Sequence, residues 1–211
     1  MSIITKLSAG KSREKRVNMF LDGKFAFSLS AEVALGEGLQ VGQELSANQV
    51  ETLARSDRYH RCLNAAIRYL GYRPRSEAEM SQRLQQRGFD NDCTEKVLAR
   101  LREEGLLDDT AFARFWKENR ESFSPRSQRL TRLELQRKGL DSSIVRQVVA
   151  EVDDSDSAYR AALSKAHHLS PSDYSGFRRR LGEYLKRRGF GYEVINHTVE
   201  RVWKEYGSSP G

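Results

Sequence analysis

From Ser46 onward the apolar residues recur at three- and four-residue spacing, the period of one buried helix face. Val50, Leu53 and Ala54 open the series. It slips at Ser56-Asp57 and resumes with Tyr59, Cys62, Leu63, Ala66, Ile67 and Leu70. Later stripes hold Val97, Leu98 and Leu101, then Phe112, Phe115 and Trp116, then Ile144, Val145, Val148, Val149 and Val152. Three more carry Ala158, Tyr159, Ala162 and Leu163; Tyr174, Phe177, Leu181, Tyr184 and Leu185; and Val194, Ile195, Val199, Val202 and Trp203. The starts of these helices are marked by capping residues. Ser46 with Gln49 and Ser76 with Glu79 have capping-box spacing, and Asp90 or Asn91, Asp108, Asp141 and Ser155 stand before other stripes. Ser124-Pro125 reads as a cap with proline in the first turn, and Pro171 as the start of the helix that runs to Arg188. Gly71, Gly88, Gly105 and Gly139 read as stops.

Residues 1–45 follow another rule. Val17, Met19 and Leu21, then Phe25, Phe27 and Leu29, alternate on either side of Asp22-Gly23, a strong short-range hairpin signal. Gly36, Gly38 and Gly42 break the next segment, which is expected to hold a short helix and a short strand around Leu39-Gln40-Val41.

One signature occurs three times: a basic residue, Gly and a large apolar residue at the end of a helix-length run. It reads Arg87-Gly88-Phe89, Lys138-Gly139-Leu140 and Arg188-Gly189-Phe190, with Leu84, Leu135 and Leu185 four residues before each Gly. Thirteen residues after each Gly stand Leu101, Val152 and Val202. The spacing of about 50 residues marks a repeat architecture. Eight before each Gly are Met80, Thr131 and Leu181, so the middle copy departs there. The expected fold is mainly α: three tandem three-helix repeats in an elongated curved array, with a small N-terminal segment containing a β-hairpin. The expected divisions are 1–45 for that segment, 46–57 for a linking helix, 58–105, 106–154 and 155–207 for the repeats, and 208–211 for a tail.

Charge sharpens this picture. The net charge is +7, with 31% charged and 38% hydrophobic residues, which favours an acidic partner such as nucleic acid. The excess gathers on the second helix of each repeat: Arg83 and Arg87; Arg126, Arg129, Arg132, Arg137 and Lys138; Arg178, Arg179, Arg180, Lys186, Arg187 and Arg188. These residues form the candidate binding surface. The competing reading is a set of solvated faces paired with acidic neighbours, with the cations before each Gly offsetting the helix dipole. Catalytic constellations are absent, and no cofactor or metal is expected. His167-His168 are adjacent and point apart on a helix, Asp108-Asp109 reads as capping, and Cys62 and Cys93 lack metal-ligand spacing. The aromatics Phe112, Phe115, Trp116, Trp203 and Tyr206 read as core, with base stacking as the alternative. No stretch has the length of a membrane span and no signal-peptide core is seen, so a reduced, cytoplasmic protein is expected; a monomer is expected as well.

Two stretches carry a family resemblance. One is Arg68-Tyr69-Leu70-Gly71-Tyr72-Arg73-Pro74-Arg75-Ser76-Glu77-Ala78-Glu79, continuing to Leu84 and Arg87-Gly88-Phe89. The other is Leu101 with Glu104-Gly105-Leu106-Leu107-Asp108-Asp109, then Phe112-Ala113 and Arg120. Together they resemble the RecX family of bacterial recombination regulators over residues 58–207, with Met80 where relatives usually carry Leu and with little added by the N-terminal 45 residues. The resemblance implies a non-enzymatic partner of the RecA recombinase and of its filament on single-stranded DNA. It implies inhibition of strand exchange, ATP hydrolysis and co-protease action from within the filament groove, and a role in recombination, DNA repair and the SOS response. The rival reading is a general nucleic-acid-binding helical repeat protein with no specific protein partner.

Overall fold

The computed structural model describes residues 1–10, 15–169 and 173–207, apart from the side chain of Tyr206. The expected helix start at Pro171 and the tail 208–211 lie outside the described residues. The chain forms two compact units, one of Met1–Arg73 with Met80–Leu106 and one of Pro74–Glu79 with Leu107–Gly211.

The first unit opens with strands β1 (Ser2–Ala9), β2 (Arg16–Leu21) and β3 (Lys24–Ser30), helix α1 (Ala31–Gly36) and strand β4 (Glu44–Leu45). They make an antiparallel sheet in the order β3-β2-β1-β4. The Asp22-Gly23 hairpin is present, with φ of 49° and 80°, both positive as this turn type requires. The Asp22 carboxylate also accepts from the Ile3 N–H at 2.9 Å, which holds its pKa below the ordinary value and ties β1 to the turn. The short helix is present, but the strand falls at Glu44–Leu45 rather than at residues 39–41. Leu39 to Gln43 instead form a turn closed by Gln43 N–H to Gln40 C=O, with Gly42 at φ 90°.

Helix α2 (Ala47–Tyr72) runs unbroken through the slip at Ser56-Asp57. The slip has a physical cause. Asp57 faces the sheet, only 5% exposed, and its carboxylate accepts from Ser30 N–H at 2.6 Å and pairs with Arg16 at 3.1 Å. A carboxylate stands where the apolar stripe would continue, so the linking helix and the first helix of the repeat are one. The Ser46–Gln49 capping box is complete. α3 (Glu77–Gln86) and α4 (Asn91–Glu103) follow, with Leu84, Val97, Leu98 and Leu101 buried. Cys62 and Cys93, distant in sequence, are both buried free thiols here; the Cys93 thiol donates to Arg58 C=O at 3.7 Å, and burial pushes the Cys62 pKa up to about 12.

The second unit holds α5 (Asp109–Phe123), α6 (Gln128–Arg137) and α7 (Ser142–Val149), then α8 (Asp154–Ala166), α9 (Tyr174–Arg187) and α10 (Tyr192–Gly207). Each trio packs on itself, around Phe112, Leu135 and Val149 in one and Leu181, Leu185 and Val199 in the other. Thr131, the irregular repeat position, is buried all the same. Trp116 and Trp203 pack against these cores, and Phe115 is partly exposed. The cap of α6 is Ser127, not Ser124; the Ser124 N–H instead closes α5 on Arg120 C=O. α8 is capped by Asp153 rather than Ser155.

Those caps belong to a junction that occurs twice in the second unit. Ser76 and Ser127, each fully buried, accept from the N–H three residues on, at 3.2 and 3.1 Å. Ser76 Oγ donates to Lys138 C=O at 2.7 Å, and Ser127 N–H donates to Arg188 C=O at 3.0 Å. The next N–H in each case, of Glu77 or Gln128, goes to Asp109 at 2.8 Å or to Asp154 at 2.6 Å. In each Asp-Asp pair the first caps its own helix and the second caps the head of an earlier one. Burial raises the Asp109 carboxyl above its ordinary pKa, aided by the Asp108 charge and opposed by the Glu77 N–H.

The repeated glycines complete the contact. Gly139 has φ 78°, and a Cβ there would lie 2.4 Å from Ala78 Cβ; Gly189 has φ 87°, and its Cβ would lie 2.5 Å from Ser127 Oγ. Gly88 has the same φ of 87° with nothing within 4 Å. Twelve residues before Gly88 and Gly139 stand Ser76 and Ser127, but twelve before Gly189 stands the buried Phe177. With no such serine, α9 begins earlier, capped by Asp173.

A buried carboxylate fixes the segment leading into α6. Glu134 accepts from Trp116 Nε1 and Arg120 Nε, both at 2.8 Å, and pairs with Arg126. The Arg120 guanidinium lies 4.6 Å and the Lys138 ammonium 4.9 Å from the Trp116 ring centroid.

Two stability predictions follow from this packing. Gly88→Ala should cost about 1–2 kcal/mol from backbone strain alone, and Gly139→Ala and Gly189→Ala roughly 1–3 kcal/mol more from overpacking; urea unfolding of the three variants reads the ranking. Glu134→Ala leaves Arg120 and Arg126 without their shared anion and should cost about 3–5 kcal/mol, seen as a lowered unfolding midpoint with a shift in Trp116 fluorescence.

Candidate nucleic-acid interface

Helix α6 carries one acidic residue, Glu134, and it is turned inward; α9 carries one, Glu183. Both helices are therefore cationic on their outer faces. The ends are occupied by the junction and the outer faces are not. Lys138 pairs with Glu79 and lies over Trp116. Arg188 donates to Ser124 Oγ at 3.0 Å and Pro125 C=O at 2.9 Å, and its guanidinium lies 4.6 Å from the Tyr184 ring centroid. Arg126 is committed to Glu134, and burial lowers its pKa, as do the charges of Arg120 and Arg188. Three of the sequence candidates thus serve packing first.

The remaining candidates of this unit are exposed: Arg129, Arg132 and Arg137 on α6, and Arg178, Arg179, Arg180, Lys186 and Arg187 on α9. Among the described residues none of them has a carboxylate partner. Arg129 and Arg132 lie three residues apart on one face, and Arg180 and Arg187 seven apart on another. On three other helices surface cations are compensated. Lys96 pairs with Asp92 and Arg100 with Glu104 on α4, Arg160 with Asp156 on α8, and Arg201 with Glu205 on α10, all at i,i+4 spacing. The contrast argues against the reading in which every charged face is neutralised by its neighbours. In a groove beside α6, about 280 Å³ in volume, Arg132 is joined by Arg146 of α7.

In the first unit, Arg83 and Arg87 are exposed, and the Arg87 guanidinium lies 5.9 Å from the Tyr69 ring centroid. Arg87 meets residues that sequence reasoning passed over. Lys15, Arg61 and Arg68 line the same cavity. The available signal was the seven-residue spacing of Arg61 and Arg68, which puts both on one face of α2. Lys15 stands just before β2, and no local pattern announces that approach.

Other chemistry finds no support in the arrangement. Asp108 and Asp109 are spent on caps, and His167 and His168 are exposed. Among the described residues no group of His, Cys, Asp and Glu could hold a metal ion, and no helix is long and apolar enough to cross a membrane.

Comparison with known proteins places this architecture. Residues 2–46 match the model of the regulatory protein RecX N-terminal domain, and residues 62–101 match the first three-helix domain of RecX. The N-terminal segment therefore contributes to the family likeness, contrary to the expectation from sequence. A regulatory protein RecX of Clostridium botulinum (strain Eklund 17B / Type B) is 28% identical over 207 residues, spanning 96% of this chain and 97% of its own. One from Bacillus licheniformis is 29% identical over 96% of this chain and 78% of its own. A crystal structure of a regulatory protein RecX shares the fold, with a TM-score of 0.64 at 23% identity over 99% of this chain and 95% of that one. The crystal structure of RecX from Lactobacillus salivarius covers 69% of this chain and 97% of its own, with a TM-score of 0.58. The N-terminal sheet, the capped three-helix repeats and these matches agree: over nearly its whole length the chain is similar to proteins named as regulatory proteins RecX, and two stretches of it match models of RecX domains.

Proposed function

We propose that this protein binds the RecA recombinase and its filament on single-stranded DNA, restraining strand exchange, ATP hydrolysis and co-protease action, with the outer faces of α6 and α9 as the binding surface. The observation that carries this reading is the row of unpaired cations on those two helices, against i,i+4 pairs on α4, α8 and α10. Uncompensated charge on a folded surface attracts an acidic partner and speeds association with it. A filament presents acidic and phosphate groups at regular intervals, and several weak contacts linked on one chain raise each other's effective concentration. Lodging in the groove would obstruct incoming duplex.

Arg129 and Arg132 are the residues to test, since Arg126, Lys138 and Arg188 also hold the fold together. The rival reading, a nucleic-acid-binding repeat protein with no protein partner, is favoured by the same charges and separated by its salt response. The double variant Arg129→Glu/Arg132→Glu should keep its helical spectrum and lose inhibition of RecA ATP hydrolysis by roughly tenfold or more, the effect of about 1.4 kcal/mol or more of lost attraction. Undiminished inhibition by the double variant would remove these helices from the interface. Equal affinity of the native protein for naked DNA and for the filament across a salt series would favour the rival.

A further inference from the structure

The first unit holds a second cationic feature, apart from α6 and α9. A cavity of about 600 Å³ opens where Lys15 and the start of α1 approach α2. Arg61, Asn64 and Arg68 of α2 line one wall, Arg87 and Phe89 another, and Lys15 the sheet side. Lys15, Arg61, Arg68 and Arg87 are exposed, and none is paired with a carboxylate among the described residues. Arg16 also lines the cavity, but Asp57 and the Ser28 carbonyl hold its guanidinium, so it adds little free charge. Glu32 is the one acidic residue of the described lining. Three cations therefore remain in excess even if Glu32 offsets one of the four.

The wall has a regular build. Arg61, Asn64 and Arg68 fall at i, i+3 and i+7, in line along α2, with the two guanidiniums rooted about 10 Å apart, two turns of helix. Between them Asn64 offers both a donor and an acceptor. Phe89, half-buried, adds an aromatic side chain to the opposite wall, and the Arg87 guanidinium stands over the Tyr69 ring. Asp57 anchors this geometry. By joining Arg16 and Ser30 to α2 it holds the sheet and the helix on either side of the opening.

We infer that this cavity takes the phosphate backbone of a single-stranded nucleic acid. A compact site for one small phosphate gathers backbone N–H groups at a point, typically at a helix N-terminus. Here the donors are long, exposed side chains spread along a helix, with an aromatic ring among them. That is the arrangement of a groove that tracks a strand, cations on the phosphates and a ring for a base. The site is separate from the proposed α6 and α9 surface and needs no recombinase to be filled.

The test uses the full chain, without RecA, and a fluorescently labelled oligothymidylate read by anisotropy over a salt series. Arg68→Glu should weaken binding about tenfold and lower the salt slope by about one, as expected for loss of one phosphate contact. Arg61→Glu should do the same, so the inference does not hang on one variant. Lys24→Glu, an equal charge change at the exposed hairpin turn, should stay within about twofold of the native protein. Equal weakening by Lys24→Glu and Arg68→Glu would reduce the effect to net charge and overturn the site. Unchanged binding in both α2 variants would do so as well. Displacement of the oligonucleotide by an equal concentration of pyrophosphate would assign the cavity to a small phosphate and overturn the strand reading. Because RecA is absent, these results stand apart from any failure of the filament assay.

Discussion

The heads of α3 and α6 are not completed by their own residues. A helix begins with backbone N–H groups that lack partners, and burying them unsatisfied is costly. Here the serine cap answers one of them, and an aspartate at the head of a helix two elements further along answers another. The same serines tie those heads to the backbone just before a repeated glycine. This shared capping fixes the register of successive helices. The close approach of Ala78 to Gly139 and of Ser127 to Gly189, and the pairing of Lys138 and Arg188, accompany it, whereas the positive φ is common to Gly88, which has no such junction. It also explains why the signature residues before those two glycines are structural while Arg87, beside an open Gly88, is not.

Much of this was legible in the sequence. Gly88, Gly139 and Gly189 with their apolar neighbours gave the repeat, and Asp22-Gly23 gave the hairpin, because each encodes a local backbone geometry. What escaped depends on long-range pairing. Strand β1 mixes exposed and half-buried residues about the single fully buried Ile4, and only its partners β2 and β4 make it a strand. The slip at Asp57 looks like a helix break until Arg16 and Ser30, distant in sequence, are seen to meet its carboxylate. Ser124-Pro125 has the composition of a helix start, but the junction needs its serine at position 127. The second aspartate of each Asp-Asp pair caps a helix other than its own, and local spacing carries no sign of that donor.

The candidate surface divides along the same line. Sequence placed the cations on the second helices; packing determines which of them are free. Arg126, Lys138 and Arg188 face inward partners, and the outer arginines of α6 and α9 do not. One family of contacts therefore holds the ends of α6 and α9 and leaves a second set of charges available along their outer faces. The cavity beside α2 was hidden from sequence because its four free cations come from three separate segments.

On the proposed reading, the structural cations at the ends of α6 and α9 and the binding cations on their outer faces are different residues. Arginine-selective chemical labelling read by mass spectrometry, on the free protein and on the protein saturated with RecA–single-stranded DNA filament, tests it directly. Arg129, Arg132 and Arg187 should react in the free protein and be protected in the complex, while Arg120, Arg126 and Arg188 should react little in either. Full reactivity of Arg129 and Arg132 in the saturated complex would contradict it.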